Sequence, residues 1–398
     1  MSVYGKDGTE LSAVYDKSGV SLSQCYAKDG TVIPLSGGGG GETDDDYNEY
    51  YSDYQHEVLI ARDAWKTQYR ADRNIIPIIL HTDEHALFTS SNQFSRTLFT
   101  YLNLAIKWNE ISACIGLGDF DMYYSDYQGT FNLLARIPAN KQINIWGNHD
   151  LWNFTDESGD QYVTDWDTFH FDNSDYGDVS YEYDKKGNEY HIDEAHNVKY
   201  VCVAGWELDK AKGGHSHYCI TSDSMESIID MLEGEDGCDI VILSHCAMAL
   251  GEEIGNRYSL GNNSDDTFYD NPSITVNGRI TDRVADVSLV QMIVDRKNHT
   301  SGTITDSDGN VHSYDFTNTT GDVICCLNGH GHWDAYGYTL NGGIPIIMFD
   351  AYAYGKNPFY FINIDRTNET ITEWKVLNDA NNTICSHVIP IVEPQATE

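Results

Sequence analysis

Ile75-Ile76-Pro77-Ile78-Ile79-Leu80-His81-Thr82-Asp83-Glu84-His85 is the stretch on which the fold turns. Ile75 to Leu80 is a short apolar run of strand length. It ends in side chains that bind protons or cations. Four more apolar runs end in the same way. Ile111 to Leu117 leads into Gly118-Asp119, and Ile143 to Trp146 leads into Gly147-Asn148-His149-Asp150. Asp239 to Leu243 leads into Ser244-His245, and Val323 to Leu327 leads into Gly329-His330-Gly331-His332. Strand ends are where an α/β sheet presents side chains to a ligand crevice.

Helical periodicity fills the intervals. Phe94, Leu98, Tyr101, Leu102 and Ala105 predict an amphipathic helix over Ser91 to Trp108, and further helices are expected at Tyr127 to Arg136 and Ser222 to Leu232. Tyr181 to Ile192 reads as a hairpin around Lys186-Gly187-Asn188, while Tyr200 to Trp206, Ile344 to Phe349 and Phe359 to Ile364 read as strands. The polar, turn-rich section 251–320, with one helix around Val287 to Arg296, reads as an insertion on the rim of a site. The fold class is therefore α/β.

Oxygen and imidazole donors without thiolates suit divalent cations such as Mn²⁺, Fe²⁺ or Zn²⁺. Asp-x-His or Gly-Asp alone carries little information, but the five clusters in this order, each behind an apolar strand, carry much more. In them the chain resembles the calcineurin-like metallophosphoesterase superfamily, whose stations are Asp-x-His, Gly-Asp, Gly-Asn-His-Asp/Glu, His and Gly-His-x-His. The resemblance spans about Ile75 to Ile364. It implies a four-layer sandwich of two mixed β-sheets flanked by helices, and two divalent metal ions. By position, Asp83, His85 and His332 would hold one cation, and Asn148, His245 and His330 the other, with Asp119 bridging them. His149 would face the substrate as an acid or transition-state donor. The implied activity is hydrolysis of a phosphomonoester or phosphodiester by a hydroxide bridging the two cations. One departure falls at the second station: many members carry an acidic residue three positions after the motif aspartate, whereas this chain has Met122 there and Asp121 before it.

Charge narrows the substrate. With 62 acidic and 24 basic side chains the net charge is −38, which argues against nucleic acid, because affinity for a phosphate backbone comes mainly from Lys and Arg. Bound cations would dominate the local field and admit a small phosphoester. A nuclease on the same fold, and a non-catalytic structural or virion-associated protein, are the competing readings. No apolar run reaches the roughly 18 residues of a membrane span. The first residues lack an apolar signal segment, so cytoplasmic synthesis is expected.

Outside the five clusters the chain reads more blandly. The first 35 residues repeat at a period of eleven: Tyr4, Tyr15 and Tyr26 precede Lys6, Lys17 and Lys28, then Gly8, Gly19 and Gly30. Each repeat reads as a strand, a glycine turn and a strand, giving a small β-repeat module over residues 1–36 suited to attachment to a larger assembly. Residues 37–55 form a Gly-rich, acidic linker, residues 56–380 the phosphoesterase domain, and residues 381–398 a tail. The nine cysteines include no Cys-x-x-Cys pair, and Cys114, Cys202, Cys325 and Cys326 read as buried thiols in strands. Gly214-His215-Ser216-His217 imitates the last station but follows a polar segment, and reads as a loop. His81 reads as a hydrogen-bonded histidine. His56, His170, His191, His196, His299, His312 and His387 show no partner at ligand spacing.

Overall fold

The computed structural model describes residues 24–26, 32–34, 55–72, 74–85, 110–120, 137–145, 147, 182–183, 188–203, 207–208, 217–220, 222–234, 237–246, 258–259, 279–281, 287–306, 308–330, 334–339, 343–351, 359–376 and 384–392. The chain divides into two units, Met1–Ser52 and Asp53–Glu398. In the first, β1 (Gln24–Tyr26) pairs antiparallel with β2 (Val32–Pro34) across the segment that contains Asp29-Gly30. These strands are the described part of the segment read as the third repeat. The other two repeats lie outside the described residues, as do the helices expected at Ser91 to Trp108 and Tyr127 to Arg136.

The second unit is mixed α/β. Helix α1 (Gln55–Ala71) is followed by β3 (Ile75–His81), β4 (Ala113–Gly116) and β5 (Gln142–Asn144). Next come β6 (Glu182–Tyr183), β7 (Glu189–Asp193), β8 (Val198–Cys202), β9 (Glu207–Leu208) and β10 (His217–Cys219), then α2 (Ser222–Glu233) and β11 (Asp239–Ser244). After β12 (Tyr258–Ser259) and β13 (Arg279–Thr281) come α3 (Val287–Lys297), β14 (Ser301–Thr305), β15 (Val311–Asp315), β16 (Val323–Asn328), β17 (Ala335–Tyr338) and β18 (Pro345–Met348). Strands β19 (Phe359–Asp365), β20 (Thr370–Val376) and β21 (Ile384–Pro390) complete the order.

Two large mixed sheets carry the fold. One has six strands in the order β21-β20-β19-β3-β4-β5, the other eight in the order β12-β17-β18-β16-β11-β8-β7-β6. Parallel pairing joins β3, β4 and β5 at one end of the first, where β19 meets β3 antiparallel, and β8, β11, β16 and β18 at the centre of the second. These are the strands that read as continuous apolar runs, as expected for strands covered on both faces. Pro77 is tolerated inside β3 because its carbonyl accepts from Ser112 N (2.9 Å) on the β4 side. Its missing N–H points the same way and falls just before β4 pairing begins at Ile78↔Ala113.

One buried cluster draws Ile76, Ile78, Leu80 and Ile115 from the six-stranded sheet and Tyr200, Val241, Leu243 and Leu327 from the eight-stranded one. A second joins Ile240, Ile242 and Cys326 to Met225 and Ile228 of α2 and to Leu289 and Ile293 of α3. On the other sheet, Trp65 of α1 stacks on Phe361 at 4.9 Å and donates through Nε1 to Ile362 O at 3.0 Å. Helix α2 has no basic residue in its last turn, and its terminal carbonyls find cations elsewhere. Arg296 of α3 donates to Leu232 O (2.8 Å) and Lys199 of β8 to Met231 O (2.7 Å), satisfying groups the helix leaves unpaired.

Three expectations are corrected. The described part of 287–319 is not rim: α3 and the β14–β15 hairpin supply Leu289, Ile293, Ile304, Tyr314 and Phe316 to the core. The segment read as a tail contains β21, which pairs with β20 from Thr370↔Pro390 to Val376↔Ile384. His217, read as part of a loop, opens β10 and pairs with Thr281 of β13 in a three-stranded sheet.

The β20–β21 pair carries a pH-sensitive contact. His387 Nδ1 stands 3.6 Å from buried Glu373 Oε1, and the carboxylate raises the imidazole pKa above its ordinary value, against the lowering effect of burial. Because the folded value is raised, the contribution is fully present below about pH 6.5, the unperturbed value. It fades as pH rises through the folded pKa. Wild type should lose no more than about 1 kcal/mol of stability relative to His387→Gln over that rise. Parallel denaturation profiles for the two proteins would remove the pair from this account.

Candidate metal centre

Every described candidate ligand follows the C-terminal end of a parallel strand. Asp83 and His85 follow β3, Asp119 follows β4, His245 follows β11 and His330 follows β16. Asp83, His85, Asp119 and His330 have φ of 54°, 43°, 57° and 63°. The left-handed region is sparsely used by residues other than glycine, although Asp and His tolerate it better than most. Each instance costs roughly 1–3 kcal/mol and persists only where the surroundings enforce it.

Backbone hydrogen bonds do the enforcing. Asp83 N donates to Gly118 O and His85 N to Asp119 O, both at 2.9 Å, so the loops after β3 and β4 clasp each other. On the other sheet Gly329 N donates to His245 O at 3.0 Å. Asn328 Nδ2 bridges Ser244 O and Cys246 O, each at 3.1 Å. Two bonds then tie the sheets together: His330 N donates to Asp83 Oδ2 (2.9 Å), and His245 Nδ1 donates to Leu117 O (2.6 Å).

The second of these fixes the chemistry of His245. With Nδ1 carrying the proton toward a carbonyl, Nε2 is left to face a ligand, an arrangement typical of metal-binding histidines. Asp119 Oδ2 lies 3.2 Å from His245 Nε2 and 3.7 Å from His85 Nε2, while His85 Nε2 is 3.8 Å from Asp83 Oδ1. The rings of His245 and His330 are 4.9 Å apart. Two groups whose ligand atoms lie within 4.8 Å of one another result, Asp83–His85–Asp119 and Asp119–His245–His330. Asp119 belongs to both. No protein-family model matches this chain, and no curated protein matches it.

The residues fit a cation. All five donors are oxygen or imidazole nitrogen, and burial of Asp83 and Asp119 demands a counter-charge. In the protein alone that charge falls to His245: burial would lower its pKa, but Asp119 and then Asp83 outweigh burial and raise it to about 9. Two glycines admit the motif loops. A Cβ on Gly147 would stand 2.1 Å from Asp119 Oδ1 and 2.3 Å from Asp119 N, and one on Gly329 would stand 2.1 Å from Thr82 Oγ1. Each loop thus reaches a site aspartate or its neighbour with backbone alone.

Asn148, His149 and His332 lie outside the described residues, as do Met122, Asp121 and His215. His81 is buried and bonded through Nδ1 to Glu84, with Phe120 edge-on at 5.9 Å, in keeping with its reading as a hydrogen-bonded histidine. Two supports were missed. Thr82 Oγ1 donates to Asp83 Oδ2 at 2.6 Å. Asp334, two residues beyond His332, is held by Lys375 Nζ and by Tyr360 OH (2.6 Å), and Lys375 also reaches Asp350 at 2.7 Å. The only signal in the sequence is the position of Asp334 directly after the Gly-His-x-His-Trp run.

Proposed function

We propose that the chain is a metal-dependent phosphoesterase of the calcineurin-like kind, acting on a phosphomonoester or phosphodiester of low molecular weight. The observation that carries the reading is the shared carboxylate: Asp119 belongs to both candidate ligand groups, the place a bridging ligand must occupy. On this reading Asp83, His85 and His332 hold one cation, and Asn148, His245 and His330 the other. The two sheets with their helices form a four-layer sandwich around the site. When bound, such a pair of cations supplies an activated water and positive charge for phosphoryl oxygens. The protein's own residues orient and exclude. Leu117 O fixes the His245 ring, Thr82 and His330 N fix the Asp83 carboxylate, and His149 holds a proton for the departing oxygen. The Asp334–Lys375 anchor sets the start of β17, just after His332.

The test supplies Mn²⁺, Zn²⁺, Mg²⁺ or Fe²⁺ separately to chelator-treated protein and offers alkyl and aryl phosphomonoesters and diesters. At least one ester class should be hydrolysed, with activity lost on chelation and restored by metal. Protein that takes up metal at the Asp119 centre yet hydrolyses neither class would overturn the proposal.

A further inference from the structure

A second set of metal-ligating side chains stands away from Asp119. Strands β7 and β8 pair antiparallel with Glu189 directly opposite Cys202 and His191 opposite Tyr200. Strand side chains alternate, so Glu189 and His191 share a face, and Cys202 lies across from them on that face. Cys202 belongs to the buried cluster that draws on both sheets, whereas Tyr190, between the two ligands, packs against the cluster formed with α2 and α3. All three residues are buried, at 1%, 7% and 0% exposure. His191 Nε2 is 2.8 Å from Glu189 Oε1, and ligand atoms of the three lie within 4.8 Å of one another.

We propose that Glu189, His191 and Cys202 form a separate site for one Zn²⁺ ion. Donors bonded tetrahedrally to zinc at about 2.0–2.3 Å lie roughly 3–4 Å apart, so small rotations of these side chains suffice. Charge closes as well. A carboxylate, a thiolate and a neutral imidazole sum to −2, which one divalent cation cancels inside a layer where uncompensated charge is costly. Without the cation the thiol keeps its proton: burial first, then the Glu189 charge and hydrogen bond, hold its pKa well above the usual value. Loading therefore releases the Cys202 proton to solvent. Sulfur makes this donor set softer than that around Asp119 and favours Zn²⁺ over Mn²⁺ or Mg²⁺. Three protein ligands leave the fourth position for water. Cys202 on β8 is in register with Leu243 of β11, two residues before His245, but the three ligands share no residue with either group around Asp119, so the two sites are distinct. The sequence reading had given His191 no partner and Cys202 a packing role; strand pairing across a turn supplies the missing ligands.

Cobalt reports the site, because Co²⁺ bound to a thiolate shows a near-ultraviolet charge-transfer band that oxygen and imidazole ligands do not give. Full-length protein stripped by chelator and titrated with Co²⁺ should develop this band. Cys202→Ser should lose the band and one equivalent of cobalt per chain. His245→Ala should keep the band while losing cobalt elsewhere, and Cys246→Ala, which removes the thiol beside His245, should also keep it. Absence of the band from wild type, its survival in Cys202→Ser, or its loss in Cys246→Ala alone would overturn the proposal. Should Cys202→Ser fail to fold, Glu189→Gln retains size and thiol. It should need at least about tenfold more Co²⁺ to reach half the band, and an unchanged titration would equally overturn the assignment.

Discussion

Asparagine in place of Asp119 should leave the chain folded, lower its metal content and slow phosphoester turnover on the order of 10³-fold or more. The choice of variant follows from the backbone. Asp119 has φ of 57°, a conformation asparagine tolerates better than alanine does. The bond its carbonyl accepts from His85 N does not involve the side chain. Size and backbone are thus preserved, and the change falls on charge. Oδ2 faces both His85 and His245, so a neutral amide removes the anion common to both ligand groups. Cation stabilisation of a phosphoryl transition state is worth several kcal/mol, and each 1.36 kcal/mol or so is a factor of ten. Metal content by elemental analysis, circular dichroism and turnover would be measured on one preparation. Wild-type turnover in a folded Asp119→Asn protein would end the assignment of Asp119 as the bridge.

The central strands were legible because they are buried on both faces. Ile75–His81, Asp239–Ser244 and Val323–Asn328 lie within a residue of the runs read from apolar composition alone. What hid was structure whose burial depends on distant partners. Lys375 and Glu373 make β20 look solvated, yet Lys375 is buried because Asp334 and Asp350 receive it. Helix α1 carried a signal that the acidic, tyrosine-rich stretch before it obscured: Ala61, Trp65 and Tyr69 recur every four residues and are buried. Helix α3 and the β14–β15 hairpin sit in a polar, turn-rich context, and their place in the core depends on a cluster that draws on α2 and on β11, β16 and β18.

The candidate site was more legible than the fold around it, for a physical reason. A ligand at a strand end is announced by an apolar run stopping at a titratable side chain, a purely local signal. The five described candidate residues fall into two groups that share Asp119 and could each hold a metal ion. The Glu189–His191–Cys202 cluster gave no such signal. His191 and Cys202 are brought together by the β7–β8 register, and antiparallel register is set by turn and pattern together.

Removal of the His149 imidazole should separate chemistry from metal binding. On the proposed reading Asn148 is a ligand and His149 is not. Asn148→Ala should therefore lose one cation, whereas His149→Ala keeps both and slows the chemical step. Gly147 lies so close to Asp119 that only a residue without a Cβ fits, and the two side chains in question follow it directly in the chain. The size of the His149 effect should depend on the leaving group. General acid catalysis contributes typically about 10²- to 10⁴-fold, and that help matters most for an alkoxide, whose conjugate acid is weak. A nitrophenolate departs without a proton. His149→Ala should accordingly slow an alkyl phosphoester by roughly 10²-fold or more and a nitrophenyl ester far less, at equal metal content. Equal slowing of both would reassign His149 to a hydrogen bond on the phosphoryl oxygens, which stabilises charge regardless of what leaves. Loss of a cation from His149→Ala would instead make the histidine a ligand and overturn the division of roles within Gly147-Asn148-His149-Asp150.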